Sequence, residues 1–221
     1  NSNNFKIFLA MDDGLKIIRT VKQKSFLPVN DNKYTSMGDN FTILGTSTHS
    51  LNTRVENDYY ATNPEAVRLL LKLEAFSKNI WECACGEGHI SKELLKLGHN
   101  VKSTDLIDRG FGESEVDFLK TQIKWDGDII TNPPYKYAKE FIEKSLQIIS
   151  EGNKVAMFLK IQFLEGKKRK IMFQKYPPKT VYVSSSRLHC PRNGDFETFK
   201  NPSVTCYAWY VWQKDLQVQQ N

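Results

Sequence analysis

From Tyr59 onward the chain alternates short apolar stretches with helical patterns, and this alternation restricts the fold more than any other feature. Asn63-Pro64 reads as a helix start, with Asn as N-cap and Pro at the first helical position, where no amide hydrogen is needed. Val67, Leu70 and Leu71 continue at helical spacing. Residues 79–84 read as a short strand, 90–97 as a helix stopping at Gly98, and 101–104 as a strand ending at Asp105. The pattern continues with strand 128–131, helix 138–149, strand 154–159, helix 164–174 and strands 180–183 and 204–212. Such alternation with short connections predicts an α/β sheet with helices on both faces. The last two strands have no helical pattern between them, which predicts an antiparallel hairpin at one edge.

Residues 1–58 are weakly patterned. Turn pairs such as Asp13-Gly14 and Met37-Gly38-Asp39-Asn40 interrupt short apolar stretches, so two plain strands or an ordered arm are both open. Met37 also reads as an alternative start. The expected organisation is an N-terminal arm over 1–58, one principal domain over 59–214 and a tail over 215–221.

Composition excludes several classes. No apolar run reaches the roughly 18 residues needed to span a membrane. The opening Asn1-Ser2-Asn3-Asn4 lacks the basic and apolar regions of a secretory signal, so a cytoplasmic protein is expected. Cys83, Cys85, Cys190 and Cys206 have poor zinc spacing, which predicts reduced thiols and no metal. Net charge is +6, and residues 151–200 hold eleven Lys/Arg against four Asp/Glu. A basic C-terminal half suits an anionic partner such as nucleic acid.

In an open α/β sheet, ligands bind at the carboxyl ends of the strands. Gly86 and Gly88 form a Gly-x-Gly turn between a strand and a helix, which lets a ligand approach the backbone closely. It lacks the third glycine of the dinucleotide fingerprint and the Gly-Lys-Ser/Thr of a phosphate loop. By itself it is equally a structural turn. Asp105, 17 residues after Gly88, ends the next strand, where an acid can accept from both ribose hydroxyls. Asp105 also reads as a cap or turn residue, and Asp108 is a less well placed alternative. A glycine turn without a phosphate cradle, plus a ribose acid, suits a nucleoside ligand with no pyrophosphate; S-adenosylmethionine fits.

Asn132-Pro133-Pro134-Tyr135 is the most specific signal. The prolines fix the backbone direction and donate nothing, so nearby carbonyls remain acceptors. The tetrapeptide thus offers the Asn132 side-chain oxygen, the Pro133 carbonyl and the flat Tyr135 ring together. An exocyclic amine on a heteroaromatic ring is a poor nucleophile because its lone pair is delocalised. Two acceptors holding both amine hydrogens draw that lone pair out of conjugation, while an aromatic ring stacks on a base that has left its duplex.

Gly86/Gly88, Asp105 and Asn132-Pro133-Pro134-Tyr135, in this order, resemble the S-adenosylmethionine-dependent DNA adenine-N6 methyltransferases, small phage-type members in particular. Tyr59-Tyr60-Ala61-Thr62-Asn63-Pro64 looks like the element these enzymes place before the glycine turn. Gly45-Thr46-Ser47-Thr48-His49-Ser50 and Arg192-Asn193-Gly194-Asp195-Phe196 are similar to segments of the small members, and the resemblance covers about residues 41–214. It implies a Rossmann-like class I fold: a mostly parallel seven-stranded sheet with an antiparallel edge hairpin, the catalytic domain being 59–214. It makes Asn132 and Pro133 the acceptors for the target amine and Tyr135 the stacking ring. Glu82, Gly86 and Gly88 would shape the cofactor turn, Asp105 would hold the ribose, Asp117 and Phe118 would meet the adenine, and Tyr60 and Thr62 the methionine end. Asn132 would touch the cofactor as well. Cys83-Ala84-Cys85 replaces the family's more usual Pro-Ser-Ala-like run. The implied activity is direct methyl transfer to adenine N6 in DNA, inside a bacterial host cell if phage-encoded. Cys190-Pro191 is the reverse of the Pro-Cys context that methylation at cytosine carbon requires.

Only 43 residues separate Gly88 from Asn132 and 86 follow Tyr135, so no separate target-recognition domain fits and loose sequence specificity is expected. Candidate nucleic-acid contacts are Lys167, Lys168, Arg169 and Lys170, then Lys175 and Lys179, and Arg187 and Arg192 in the loop 187–200. A basic run at a helix start is equally a solvated face. His49 and His189 are unassigned, and Trp209 and Trp212 read as packing residues. Asn-Pro-Pro-Tyr also occurs in methyltransferases acting on RNA amines and on protein glutamine, and a non-catalytic nucleic-acid-binding protein on this fold is a further alternative.

Overall fold

A computed structural model describes residues 4–11, 14–22, 60–184, 188, 190–191, 194 and 205–215. Arg187, Arg192, His49, His189, Met37 and the 45–50 segment lie outside the described residues, as do the side chains of Lys167 and Lys168.

Helix α1 (Pro64–Leu73) starts as its sequence predicts, with Pro at its first position and the Asn63 side chain accepting from the Glu65 amide at 2.9 Å. Strand β3 (Asn79–Glu82) then leads through the glycine turn into α2 (His89–Lys96), which precedes β4 (Asn100–Ser103). Strand β5 (Asp128–Thr131), α3 (Ala138–Ile148), β6 (Lys154–Lys160) and α4 (Lys167–Lys175) follow, then β7 (Thr180–Ser184) and β8 (Tyr207–Gln213). The first described elements are β1 (Asn4–Met11) and β2 (Gly14–Lys22), an antiparallel pair in register from Asn4↔Lys22 to Met11↔Gly14.

All eight strands form one sheet in the order β2-β1-β7-β8-β6-β5-β3-β4. Strands β4, β3, β5 and β6 are parallel, whereas β8 runs antiparallel to both β6 and β7. The expected hairpin is therefore β7–β8, and β1 extends the sheet beyond it by pairing parallel to β7. Among the described residues six strands come from residue 79 onward, against the seven implied by the resemblance. The long connection between β4 and β5 contains Gly110, Gly112 and Gly127 and no alternating apolar run, and it contributes two isolated bridges, Thr104↔Glu113 and Trp125↔Ile149, and a 3-10 turn, Phe118–Lys120.

Period-two alternation along β6 sends Val155, Met157 and Leu159 to one face and Ala156 and Phe158 to the other. The first face packs with Phe141, Ile142 and Leu146 of α3, and the second with Val67 and Leu70 of α1 and Ile90 and Leu94 of α2. Every residue of β5 is buried, as a strand covered by helices on both sides requires. Trp209 and Trp212 are packing residues whose indole N–H groups donate to the Ala66 and Tyr176 carbonyls, both at 2.9 Å.

Candidate active site

The chain leaves β3 for β4 on one side and then crosses to β5 on the other, so the direction of winding reverses between β3 and β5. A crevice opens at the carboxyl ends of such neighbouring strands. The glycine turn follows β3, Asp105 follows β4 and Asn132 follows β5, so one edge of the sheet collects all three.

The glycine turn is internally satisfied. Gly86 donates its amide to Asp105 Oδ2 at 2.8 Å, Gly88 to the Cys85 carbonyl at 2.8 Å, and Cys85 to the Thr104 carbonyl at 3.0 Å. Ser91 donates both its amide, at 2.7 Å, and its hydroxyl to Glu82 Oε2, and the Lys92 amide goes to the Gly88 carbonyl at 2.8 Å. A dinucleotide site instead keeps its helix N-terminal amides for a pyrophosphate. Here the Gly88 and Ser91 amides at the start of α2 are already taken by the Cys85 carbonyl and Glu82, and burial pushes the Glu82 carboxyl up to about 8, since the Ser91 hydrogen bonds offset only part of its desolvation. The turn fits a nucleoside without phosphates.

Gly88 adopts φ +79°, and a methyl there would overlap the Phe111 ring. Phe111 lies over the turn, its carbonyl 3.4 Å from Cys85 Sγ and its ring 5.0 Å from Lys92 Nζ. Gly112, with φ +73°, comes so close that a Cβ would stand 2.7 Å from the Ser103 carbonyl oxygen. The sequence reading missed Phe111; an aromatic between two glycines in a polar loop was its signal. Cys83 is buried in the core below, and burial raises the Cys85 thiol to about 12, so neither is a ready thiolate at neutral pH.

Asp105 makes the local turn that its second reading expects. Its Oδ2 holds the Gly86 amide and its Oδ1 accepts from the Ile107 amide at 2.9 Å, a local turn. An ionised carboxylate has about four acceptor sites, so two remain for hydroxyls. Asp108 is exposed and accepts from Gly110 at 2.9 Å. The Val116 amide donates to the Asp105 carbonyl at 3.0 Å, which carries Asp117 alongside the same strand end. Asp117 caps the 3-10 turn through Leu119, at 3.1 Å, and pairs with Lys120, also at 3.1 Å. Phe118 departs from its expected role. Its ring is buried in the core, edge-on to Trp81 at 5.3 Å and 5.0 Å from Phe141, and is not available to an adenine.

Asn132 Nδ2 donates to the Tyr60 carbonyl at 2.8 Å and the Thr62 hydroxyl at 3.1 Å. A carbonyl only accepts, so the contact with Tyr60 identifies which amide atom faces it. Both amide hydrogens are thereby used, and Oδ1 is left as the acceptor. Pro133 is buried, and the Pro134 carbonyl starts a 3-10 turn (Tyr135–Tyr137) by accepting from Tyr137 at 2.8 Å. The Tyr135 ring is half-buried, stacked with Tyr60 at 6.1 Å and tilted against Tyr207 at 6.3 Å. Burial, with Tyr207, Cys190 and Tyr60 nearby, holds its phenol well above the usual range. Ala61 donates to the Pro191 carbonyl at 3.0 Å, which ties the Tyr60–Thr62 segment to the chain beyond β7.

The basic run is less unified than its sequence. Arg169 donates to the Glu165 carbonyl at 2.5 Å and the Gln162 carbonyl at 3.4 Å and lies 5.1 Å from the Phe163 ring centre. Lys170 is exposed, Lys175 lies by Tyr176 at 4.9 Å, and Lys179 donates to Gln213 at 2.7 Å. Among the described residues no group of His, Cys, Asp and Glu could hold a metal ion.

No protein-family model and no curated protein sequence matches the chain. Solved structures do resemble it. A candidate RNA methyltransferase of Pyrococcus horikoshii is 16% identical with a TM-score of 0.47, covering 69% of this chain and 82% of that one. A TehB-like S-adenosylmethionine-dependent methyltransferase of Corynebacterium glutamicum is 15% identical with a TM-score of 0.46, covering 68% and 87%. A structure described with the conversion of a disulfide bond into a thioacetal group in echinomycin biosynthesis is 14% identical with a TM-score of 0.50, covering 70% and 83%. At such identities the likeness concerns the fold alone, a mostly parallel α/β sheet covered by helices on both faces.

Proposed function

We propose that this chain transfers a methyl group from S-adenosylmethionine to the exocyclic N6 amine of adenine in DNA, with little sequence specificity. The observation that carries the reading is the orientation of Asn132: Tyr60 and Thr62 take both amide hydrogens, and Oδ1 is left to accept beside Pro133 and Tyr135. An amide locked in this sense accepts a hydrogen bond from a conjugated amine and so directs its lone pair. The glycine turn, lacking a phosphate cradle, and Asp105 support a nucleoside cofactor one strand away.

Bound there, S-adenosylmethionine supplies an electrophilic methyl group on a sulfonium. The chain's own residues do the rest. Asp105 would accept from the ribose hydroxyls, Asn132 and the Pro133 carbonyl would hold the amine, and the Tyr135 ring would stack on the base. The amine so held would attack the methyl carbon in line as the sulfonium C–S bond breaks and the neutral thioether leaves, and its proton would pass to water without a covalent enzyme intermediate; the rate gain would come from orientation. Phe111 closes one side of the glycine turn against solvent.

Tritiated S-adenosylmethionine offered with duplex DNA, single-stranded DNA, total RNA and protein tests this. Label recovered as N6-methyladenosine's deoxy form, and lost in Asn132→Ala, is expected. Label in RNA or on protein glutamine would replace the substrate and keep the chemistry. Cofactor binding with no label anywhere would favour a binding role.

A further inference from the structure

The 3-10 turn after the two prolines carries two cation–ring pairs. On its buried side, Lys160 Nζ lies 5.3 Å from the Tyr135 ring centre and 5.8 Å from that of Tyr60. On its exposed side, Lys136 Nζ lies 5.1 Å from the ring of Tyr137, which is 44% exposed. Lys160 is the last residue of β6, and β6 pairs with β5, whose carboxyl end carries Asn132. Two ammonium groups and three tyrosine rings therefore gather along the turn that follows Asn132 and Pro133. Rings with adjacent cations are what a single strand binds: bases stack on the faces and phosphates pair with the charges. A protein amide would bring no phosphate to either lysine.

We propose that Lys136, Tyr137 and Lys160 form the strand-holding track of this site, the lysines on the phosphates flanking the target nucleotide and Tyr137 beneath the neighbouring base. The proposal rests on the nucleic-acid reading above and deepens it. The strand is gripped at the Asn-Pro-Pro-Tyr turn itself, whereas Arg169 in the basic run is turned back onto its own carbonyls. Contacts confined to phosphates and one stacked base read almost no sequence, in keeping with the proposed loose specificity.

The test uses the full chain, a fluorescein-labelled single-stranded DNA containing adenine, and S-adenosylhomocysteine, with anisotropy followed across salt concentrations. Lys136→Ala and Lys160→Gln should each shrink the slope of log affinity against log salt by about 0.7, and Lys160→Arg should restore it. Tyr137→Ala should weaken binding roughly five- to hundredfold with its slope unchanged. Cofactor affinity, measured by calorimetry, reports folding; should Lys160→Gln lose it, the two exposed positions decide. Wild-type slopes and affinities in all variants, while the wild type labels DNA, overturn the track alone. Loss in Lys170→Ala in their place moves the strand to α4 and overturns it too. A wild type that binds cofactor but neither binds nor labels nucleic acid overturns the underlying function as well.

Discussion

Asn132 owes its orientation to residues some seventy positions earlier, the Tyr60 carbonyl and the Thr62 hydroxyl. Thr62→Val removes one of these partners and keeps the shape. Transfer should fall about tenfold or more with cofactor affinity little changed, because the amide gains freedom to turn. Single-turnover kinetics beside calorimetry would show the split; an equal loss in both would mean that Thr62 serves the cofactor. Glu82 makes a pH prediction. Its folded value of about 8 exceeds the ordinary carboxyl value of 4.5, so the folded state holds the proton more tightly. Stability contributed by that proton is complete below pH 4.5 and is lost as pH rises toward 8. Glu82→Gln should flatten this decline in denaturant midpoints, since a neutral amide needs no proton to stay buried. An unchanged slope would mean that Glu82 is ionised throughout.

At the scale of elements, the turn from β3 into α2 depends on a left-handed Gly88 closed by a ring from a distant loop. Gly88→Ala should cost about 1–2 kcal/mol for the conformation alone, and more through collision with Phe111. Gly88→Ala with Phe111→Ala should recover the collision part but not the strain, read by thermal unfolding of both variants. The start of α1 is more local: Asn63→Ala should cost about 1 kcal/mol by freeing the Glu65 amide. That loss also loosens the Tyr60–Thr62 segment immediately before the helix, so it should be accompanied by a drop in transfer rate.

Across the whole molecule, α1, β6 and β7 are joined by one polar knot. Lys154 Nζ meets Glu74 Oε1 at 2.5 Å and the Ala75 carbonyl at 2.6 Å, and Tyr182 donates to Glu74 Oε2 at 2.8 Å. Desolvation would raise the Glu74 carboxyl, but Lys154 and Tyr182 outweigh it and hold it below 4.5. Its contribution is present above pH 4.5 and is lost as pH falls through the lowered value. Lys154→Met should therefore destabilise at neutral pH and blunt the acid limb of unfolding midpoints, and an acid limb left intact would assign it elsewhere. Helix and strand positions, the Asn63 cap, the glycine turn and the Asn-Pro-Pro-Tyr run were legible because each is written in neighbouring residues: periodicity, a cap and fixed φ angles act within a few positions. Other features depend on which distant segments meet. The ring of Phe118 joins Trp81 and Phe141, Phe111 reaches Gly88, and Lys160 lies over Tyr60 and Tyr135. The weakly patterned β1 likewise finds its place only by pairing with β7, and β2 by pairing with β1. Local sequence thus determined the elements and the atoms available for chemistry. The tertiary structure decided strand order and which side chains those atoms face, because hydrogen-bonded ladders and core packing are satisfied only when remote segments close on one another.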